Sequence, residues 1–331
     1  MDFQEHRELI KKLKRQITEP PSLDILQLLL SELQYTMQDN PDLGADERKY
    51  VLSYSGFIKR WSLQRLQQTL DPQWDKLYWD TMLFEAPYLL DSYCLYIEKD
   101  RKPQQRFYEP RRKTLIKVVN KLQMLEDDQL DELFVHMPAR VGKTQIITLG
   151  TSWHCCRNTE LSNLYCSYKE DAGGAFLDGV TEIWTDPIYC HKDVFPNSRI
   201  VDTDAKANTI DLERKKKYKS LSGKGLTSGL NGLYDATGWL IADDILEGIQ
   251  DVLSPDILRR KQTIFDNNLM KRKKEKCKVV YNGTIWSLHD IYMNRMAFLE
   301  NNPEAKDIRW DVLKIPAPDP ETDESNFDYD Y

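Results

Sequence analysis

The chain reads as an α/β protein with a central, mainly parallel sheet, preceded by a helical N-terminal subdomain. Three observations predict this. The first hundred residues carry apolar positions three and four apart. From about residue 105, short apolar runs alternate with longer helical stretches. One of those runs leads through a turn into Gly142-Lys143-Thr144 and then into an apolar segment long enough for a helix. Strands that alternate with helices imply a parallel sheet covered on both faces, and the ligands of such sheets sit beyond the C-terminal strand ends.

In the N-terminal region Ile10, Leu13 and Ile17 share one helix face. Pro20-Pro21-Ser22 is a turn followed by an N-cap, and Leu23, Leu26, Leu30, Leu33 and Met37 continue the apolar stripe. Pro41-Asp42-Leu43-Gly44 marks a loop, and Asp46 to Leu66 is helical again. Tyr78, Trp79, Phe84, Tyr88, Tyr93 and Tyr96 lie so close in sequence that they read as core packing. These elements define a helical subdomain over residues 1–104, an α/β domain over 105–318 and an acidic tail over 319–331. Strands are expected at Leu133–Val135, Leu164–Cys166, Leu240–Ala242 and Val279–Tyr281. The segment from Pro316 to Tyr331 carries six acidic residues and little to bury, which predicts a flexible end.

Bulk properties bound the function. Of 331 residues, 30% are charged and 40% apolar, as in a soluble protein with a real core. No apolar run approaches the length of a membrane span, and Met1-Asp2-Phe3-Gln4-Glu5 does not open a signal peptide. The six cysteines form no C-x-x-C pair, so free thiols in a reducing, cytosolic setting are expected, with Cys155 and Cys156 packing a helix. Net charge is −7, yet basic residues cluster at 111–113, 214–219 and 271–278. A single run reads as a solvated face. Three runs in a nucleotide-binding chain point toward a phosphate-backbone partner.

The chemistry concentrates in four stretches. Met137-Pro138-Ala139-Arg140-Val141-Gly142-Lys143-Thr144-Gln145 has the strand–loop–helix layout of a phosphate-binding loop, with Met137 where a glycine usually stands. Loop and helix-start N–H groups form a positive concavity. Gly142 lets the backbone approach phosphate, Lys143 reaches the terminal phosphates and the Thr144 hydroxyl can ligate Mg²⁺. The ligand expected is therefore ATP or another nucleoside triphosphate with Mg²⁺. In Gly238-Trp239-Leu240-Ile241-Ala242-Asp243-Asp244 an apolar strand ends in carboxylates. Asp243 can hold the metal shell and Asp244 can orient or deprotonate water. After Val279-Val280-Tyr281, the residues Asn282, Thr284 or Ser287 can sense the terminal phosphate, or Ser287 can cap a helix. His289 has no partner at metal-ligand spacing. The window Leu221–Gly232 holds four glycines and reads as a mobile loop or a plain connection.

Taken in order, these stretches resemble the ATPase domain of the large terminase subunit of tailed phages. Pro138-Ala139-Arg140-Val141-Gly142-Lys143-Thr144 matches that family's Pro-x-Arg-x-Gly-Lys-[Ser/Thr] loop, which lacks the leading glycine. Thr227-Ser228-Gly229 is similar to its Thr-Gly loop. Asp243-Asp244 is similar to the Asp-Asp form of its acidic motif, and Thr284-Ile285-Trp286-Ser287-Leu288-His289-Asp290 to its coupling motif, with Ile285 in place of arginine. Arg106–Lys113 resembles the adenine-contacting segment, which implies that Tyr108 stacks on the base and that Arg111 or Arg112 meets phosphate or a neighbouring subunit. Ser167-Tyr168 and Asp186-Pro187-Ile188-Tyr189 also fit the pattern. The resemblance covers about residues 105–318.

It implies a RecA-like P-loop fold of the ASCE type and a molecular motor that packages double-stranded viral DNA into a procapsid. It also implies a ring of identical subunits on a portal, a small terminase subunit as partner, and the host cytoplasm as location. Lys143, Arg140 and Asp244 would be catalytic, Thr144 and Asp243 would hold the metal, and Asn282 and Thr284 would couple. The family's nuclease domain has no room in the 13 residues after Pro318, so no nuclease activity is expected. The rivals are a P-loop helicase or remodelling ATPase, and a nucleotide-gated scaffold without efficient hydrolysis.

Overall fold

The computed structural model describes residues 1–230 and 234–327. It divides into two compact units, Met1–Tyr96 and Ile97–Tyr331.

The first unit is helical: α1 Phe3–Gln16, α2 Leu23–Asp39, α3 Ala45–Thr69, α4 Pro72–Glu85 and most of α5 Leu90–Ile97. Local chemistry sets the helix starts. Asp2 accepts from the Glu5 amide while Glu5 reaches back to the Asp2 N–H, and Ser22 accepts from Ile25 N. Ile10, Leu26, Leu29, Leu33, Val51 and Ile58 are fully buried together, so the apolar stripe does pack as a core.

The second unit begins with α6 (Tyr108–Glu126), β1 (Glu132–His136), α7 (Lys143–Arg157), β2 (Asn163–Ser167), α8 (Glu170–Thr185) and the short α9 (His191–Val194). Then come β3 (Ile200–Asp204), β4 (Thr209–Leu212), β5 (Leu221–Gly225) and β6 (Trp239–Asp243). The chain closes with α10 (Ile249–Leu253), α11 (Pro255–Ile264), β7 (Lys278–Asn282), α12 (Ile291–Asn301) and β8 (Trp310–Lys314). The eight strands form one sheet in the order β3-β4-β5-β2-β6-β7-β1-β8. Among the described strands the β3–β4 and β4–β5 pairings are antiparallel and the rest parallel.

Because β7 lies between β1 and β6, the C-terminal ends of these three strands are neighbours, with Val135 opposite Asn282 and Asn282 opposite Asp243. On one face of the sheet, Phe265, Ile291, Tyr292 and Met296 pack against Phe134, Leu240, Val279 and Tyr281. On the other, Gly150 of α7 lies against Leu122 of α6 and Trp239 of β6.

All four expected strands form, each a residue longer at both ends. Four more, β3, β4, β5 and β8, were not expected. The glycine-rich window is corrected most clearly. Its first half is the fully buried strand β5, and its glycines serve packing: a Cβ on Gly173 of α8 would lie 2.6 Å from the Gly223 backbone. Backbone meets backbone there, which only glycine permits. Asn231 and Gly232 of that window lie outside the described residues.

The tail departs from expectation up to Phe327, while residues 328–331 lie outside the described residues. Asn326 N–H bonds Ala317 O, the Thr114 hydroxyl bonds Asn326 O, and Phe327 is buried. Two of the basic runs, 214–219 and 271–278, are largely paired with the fold's own carboxylates. Arg214 pairs with Glu160, Lys215 with Asp202, Lys219 with Asp211, Lys273 with Glu132, Lys274 with Asp235 and Lys278 with Asp131. All six cysteines are free and buried. Among the described residues no helix is long and apolar enough to cross a membrane.

Beneath the sheet Glu126 ties α6 to α7 by bonding His154 Nδ1 (2.6 Å), Arg157 Nε (3.0 Å) and Asn158 Nδ2 (2.8 Å). Burial alone would raise its pKa, but the charges of His154 and Arg157 reverse this and hold it at about 2. A depressed carboxylate stabilises the fold above its ordinary value of 4.5 and loses that contribution as pH falls toward 2. Glu126→Gln should cost on the order of 3 kcal/mol at neutral pH. In urea unfolding across that pH window, its difference from wild type should shrink as pH falls. A second test concerns packing. Gly223→Ala should lose about 2 kcal/mol in urea unfolding. Gly229→Ala, with no atom near its new methyl, should stay within about 0.5 kcal/mol of wild type.

Candidate nucleotide-binding site

β1 ends at His136, and the chain turns through residues 137–142 into α7. Two residues of the turn, Arg140 (φ 63°) and Gly142 (φ 90°), are left-handed. Such residues turn successive N–H groups into a concavity that suits an anion. For Arg140 the conformation costs about 1 kcal/mol, the kind of strain that collects at functional sites. Met137, the first residue after β1, is buried, and the left-handed residues come later, at Arg140 and Gly142, without a leading glycine. Gly142 is required twice, by its φ and by Phe107, whose ring would lie 2.7 Å from a Cβ there.

Lys143 opens α7, is buried, and donates from Nζ to the Thr284 hydroxyl at 3.0 Å; its Nζ also lies 3.8 Å from Asp244 Oδ1. Thr144 Oγ1 donates to Asp243 Oδ2 at 2.8 Å. Tyr165 OH donates to the same oxygen at 2.8 Å, and Asn282 Nδ2 to Oδ1 at 2.7 Å. Burial, then the charge of Asp244, pushes the Asp243 pKa up to about 6 against these three hydrogen bonds. Asp244 is left-handed (φ 40°), and its Oδ1 accepts from Thr284 N at 3.3 Å.

Gly283 N–H bonds Val135 O, and Gly283 O bonds His136 Nδ1 at 3.0 Å. Burial lowers the His136 pKa, which keeps the ring neutral with Nδ1–H as donor. Ser287 Oγ accepts from His289 N, while the cap of α12 is Asp290, which accepts from Tyr292 N at 2.9 Å. The expected cap at Ser287 is thus displaced by three residues.

Above these groups lies a cleft of about 460 Å³ lined by Ala139, Arg140, Gly142, Lys143, Thr144, Gln145, Tyr168, Asp244, Leu246, Glu247, Thr284 and Trp286. Most of the expected site residues meet here. Pro138 and Val141 shape the loop without lining the cleft. Tyr108 is corrected: it is fully buried, so no ring face is open to a base. Phe107, one residue earlier, is the aromatic beside the loop. Arg111 stacks on that ring at 5.1 Å and donates to Phe107 O, so it too stays outside the cleft. Tyr165, Tyr168, Glu247 and Trp286 were missed as site residues, although Tyr168 and Trp286 fall within the family-like segments. A larger cleft, about 630 Å³, lies near Asp100, Trp184, Tyr189 and Arg199, away from the constellation described here.

The donors are hard oxygens that fit a divalent cation: the Thr144 hydroxyl at the start of α7 and the Asp243 carboxylate at the end of β6. Asn282 Oδ1 is, in addition, a buried acceptor with no partner among the described residues. No family model matches the chain, and no curated protein matches it in sequence.

Gly142→Ala should cost about 2 kcal/mol, from its left-handed φ and its contact with Phe107. Phe107→Ala in the same chain should recover the steric share in chemical unfolding but not the conformational share.

Proposed function

We propose that this chain is an ATP-hydrolysing motor of the RecA-like, ASCE P-loop class, which moves double-stranded viral DNA into a procapsid. The observation that carries this reading is the convergence of Lys143, Thr144, Asp244 and Thr284 on one cleft at the ends of three adjacent strands, with the buried Asp243 bonded to Thr144 behind it. The resemblance to large terminase subunits supplies the DNA partner, the homo-oligomeric ring on a portal and the small subunit.

Loop N–H groups and Lys143 bind the phosphates, and Arg140, exposed at the cleft rim, adds positive charge where charge develops in transfer. Thr144 and Asp243 are the residues that would hold Mg²⁺, which neutralises phosphate charge when bound. Asp244 orients the attacking water. Thr284, which bonds Lys143 and Asp244, is placed to exchange those bonds for contacts to the terminal phosphate. A second reading, a nucleotide-gated scaffold, is favoured by the tether on Asp244: a short carboxylate tied to the Thr284 amide is a poor base.

Mg²⁺-dependent ATP hydrolysis by wild type and Lys143→Ala, each with and without double-stranded DNA, tests the proposal. Turnover should fall on the order of 100-fold or more in the variant, and DNA should stimulate the wild type. Nucleotide binding without turnover would favour the scaffold. Absence of nucleotide binding would overturn both.

A further inference from the structure

Asp243 has an unusual set of partners for a buried carboxylate. Its three hydrogen bonds come from Tyr165, Thr144 and Asn282, all neutral donors. The Lys143 ammonium, at the start of the same helix as Thr144, is directed to Thr284 and Asp244 instead. A lysine or arginine partner would neutralise the carboxylate and compete with a metal. Neutral donors orient it and leave its charge in place, at the cost of burying a charge without a counter-ion.

Tyr165 is the donor that packing does not explain. It sits on β2, with its ring stacked on Phe176 at 3.8 Å and 11°. Phenylalanine would fill that space as well. A buried hydroxyl is costly unless bonded, and this one is spent on Asp243, with the Ser167 side chain as a further hydrogen-bond partner. β2 lies next to β6, with Cys166 opposite Ala242, so the phenol comes from the strand on the far side of β6 from Asn282. The carboxylate is held from both flanks.

We propose that Tyr165 is a positioning residue for a divalent-cation site: with Asn282, its hydroxyl fixes the Asp243 carboxylate beside Thr144 so that the pair meets the cation that accompanies a nucleotide. The inference rests on the nucleotide-site reading. Hydrogen-bonded partners of metal ligands typically set 10–100-fold in metal affinity.

The test measures binding, not turnover. Wild type and Tyr165→Phe are titrated with MnCl₂ in the presence of a non-hydrolysable ATP analogue, followed by the EPR signal of free Mn²⁺. Both are then titrated with a fluorescent ATP analogue in EDTA. The expected result is Mn²⁺ affinity about 10-fold weaker in Tyr165→Phe, with metal-free nucleotide affinity unchanged and a cooperative unfolding transition retained at a somewhat lower melting temperature, since a buried donor to Asp243 is lost. Asn282→Ala, which removes the bond to the opposite carboxylate oxygen, should weaken Mn²⁺ in the same way and serves if Tyr165→Phe does not fold. Equal Mn²⁺ affinity in wild type and the folded variants overturns the inference while leaving the nucleotide reading intact. A wild type that binds no nucleotide with or without metal overturns both.

Discussion

A buried carboxylate must be held, and the candidate site is arranged around that requirement at Asp243. Its partners come from the first turn of α7, from β2 and from β7. Those bonds exist only because β6 lies between β2 and β7 in the sheet. The strand order is thus a chemical specification as well as a packing solution. It gives one carboxylate neighbours on both sides and brings the helix that follows the β1 turn across the strand ends.

The turn depends on a second constraint, the close approach at Gly142. Phe107 occupies the space a side chain would need, and its backbone N–H is anchored by the buried Glu98 carboxylate, with Oε1 at 3.0 Å. Burial raises the Glu98 pKa against the hydrogen bonds from Tyr108 and Phe107. The segment just before α6 therefore acts as a wall of the loop. Phe107 holds the loop in shape; with Arg111 stacked on its ring, it is not an open platform for a base.

Much of this was legible in the sequence, for identifiable reasons. β1, β2, β6 and β7 are the sheet's central strands, buried throughout or nearly so, and announce themselves as apolar runs. β3 is only half-buried and carries Asp202 and Asp204, and β8 is half-buried with Asp311 and Lys314, so neither shows a strand pattern. β5 was hidden by its glycines, which record helix–strand contact instead of mobility. Tyr108 and Phe107 are adjacent at a helix start, where one position turns a side chain by about 100°. Composition gives no sign of which one faces the loop. Tyr168 and Glu247 occupy irregular segments with no periodicity to read. For the basic runs at 214–219 and 271–278, charge is visible in sequence while its carboxylate partner is not: Glu132, which pairs with Lys273, lies 141 residues away.

The loop after β7 shows why these parts behave as one unit. Gly283 bonds the ends of β1 through Val135 and His136, Thr284 bonds Lys143 and Asp244, and Asp244 N–H returns to Asn282 O at 2.8 Å. Tyr292 of α12 closes the circuit by donating to Ala242 O at 2.9 Å, and its ring would lie 2.8 Å from a Cβ on Gly283. A displacement of Lys143 therefore cannot stay local. It breaks a bond to Thr284, and the loop that carries Thr284 is fastened to two strands and packed on a helix. The contact through which such a shift would reach α12 is the close packing of Tyr292 against Gly283. On the motor reading, the group that touches the terminal phosphate is thereby connected to a surface element through three short steps, and α12 is the part of the fold that the phosphate's presence would move.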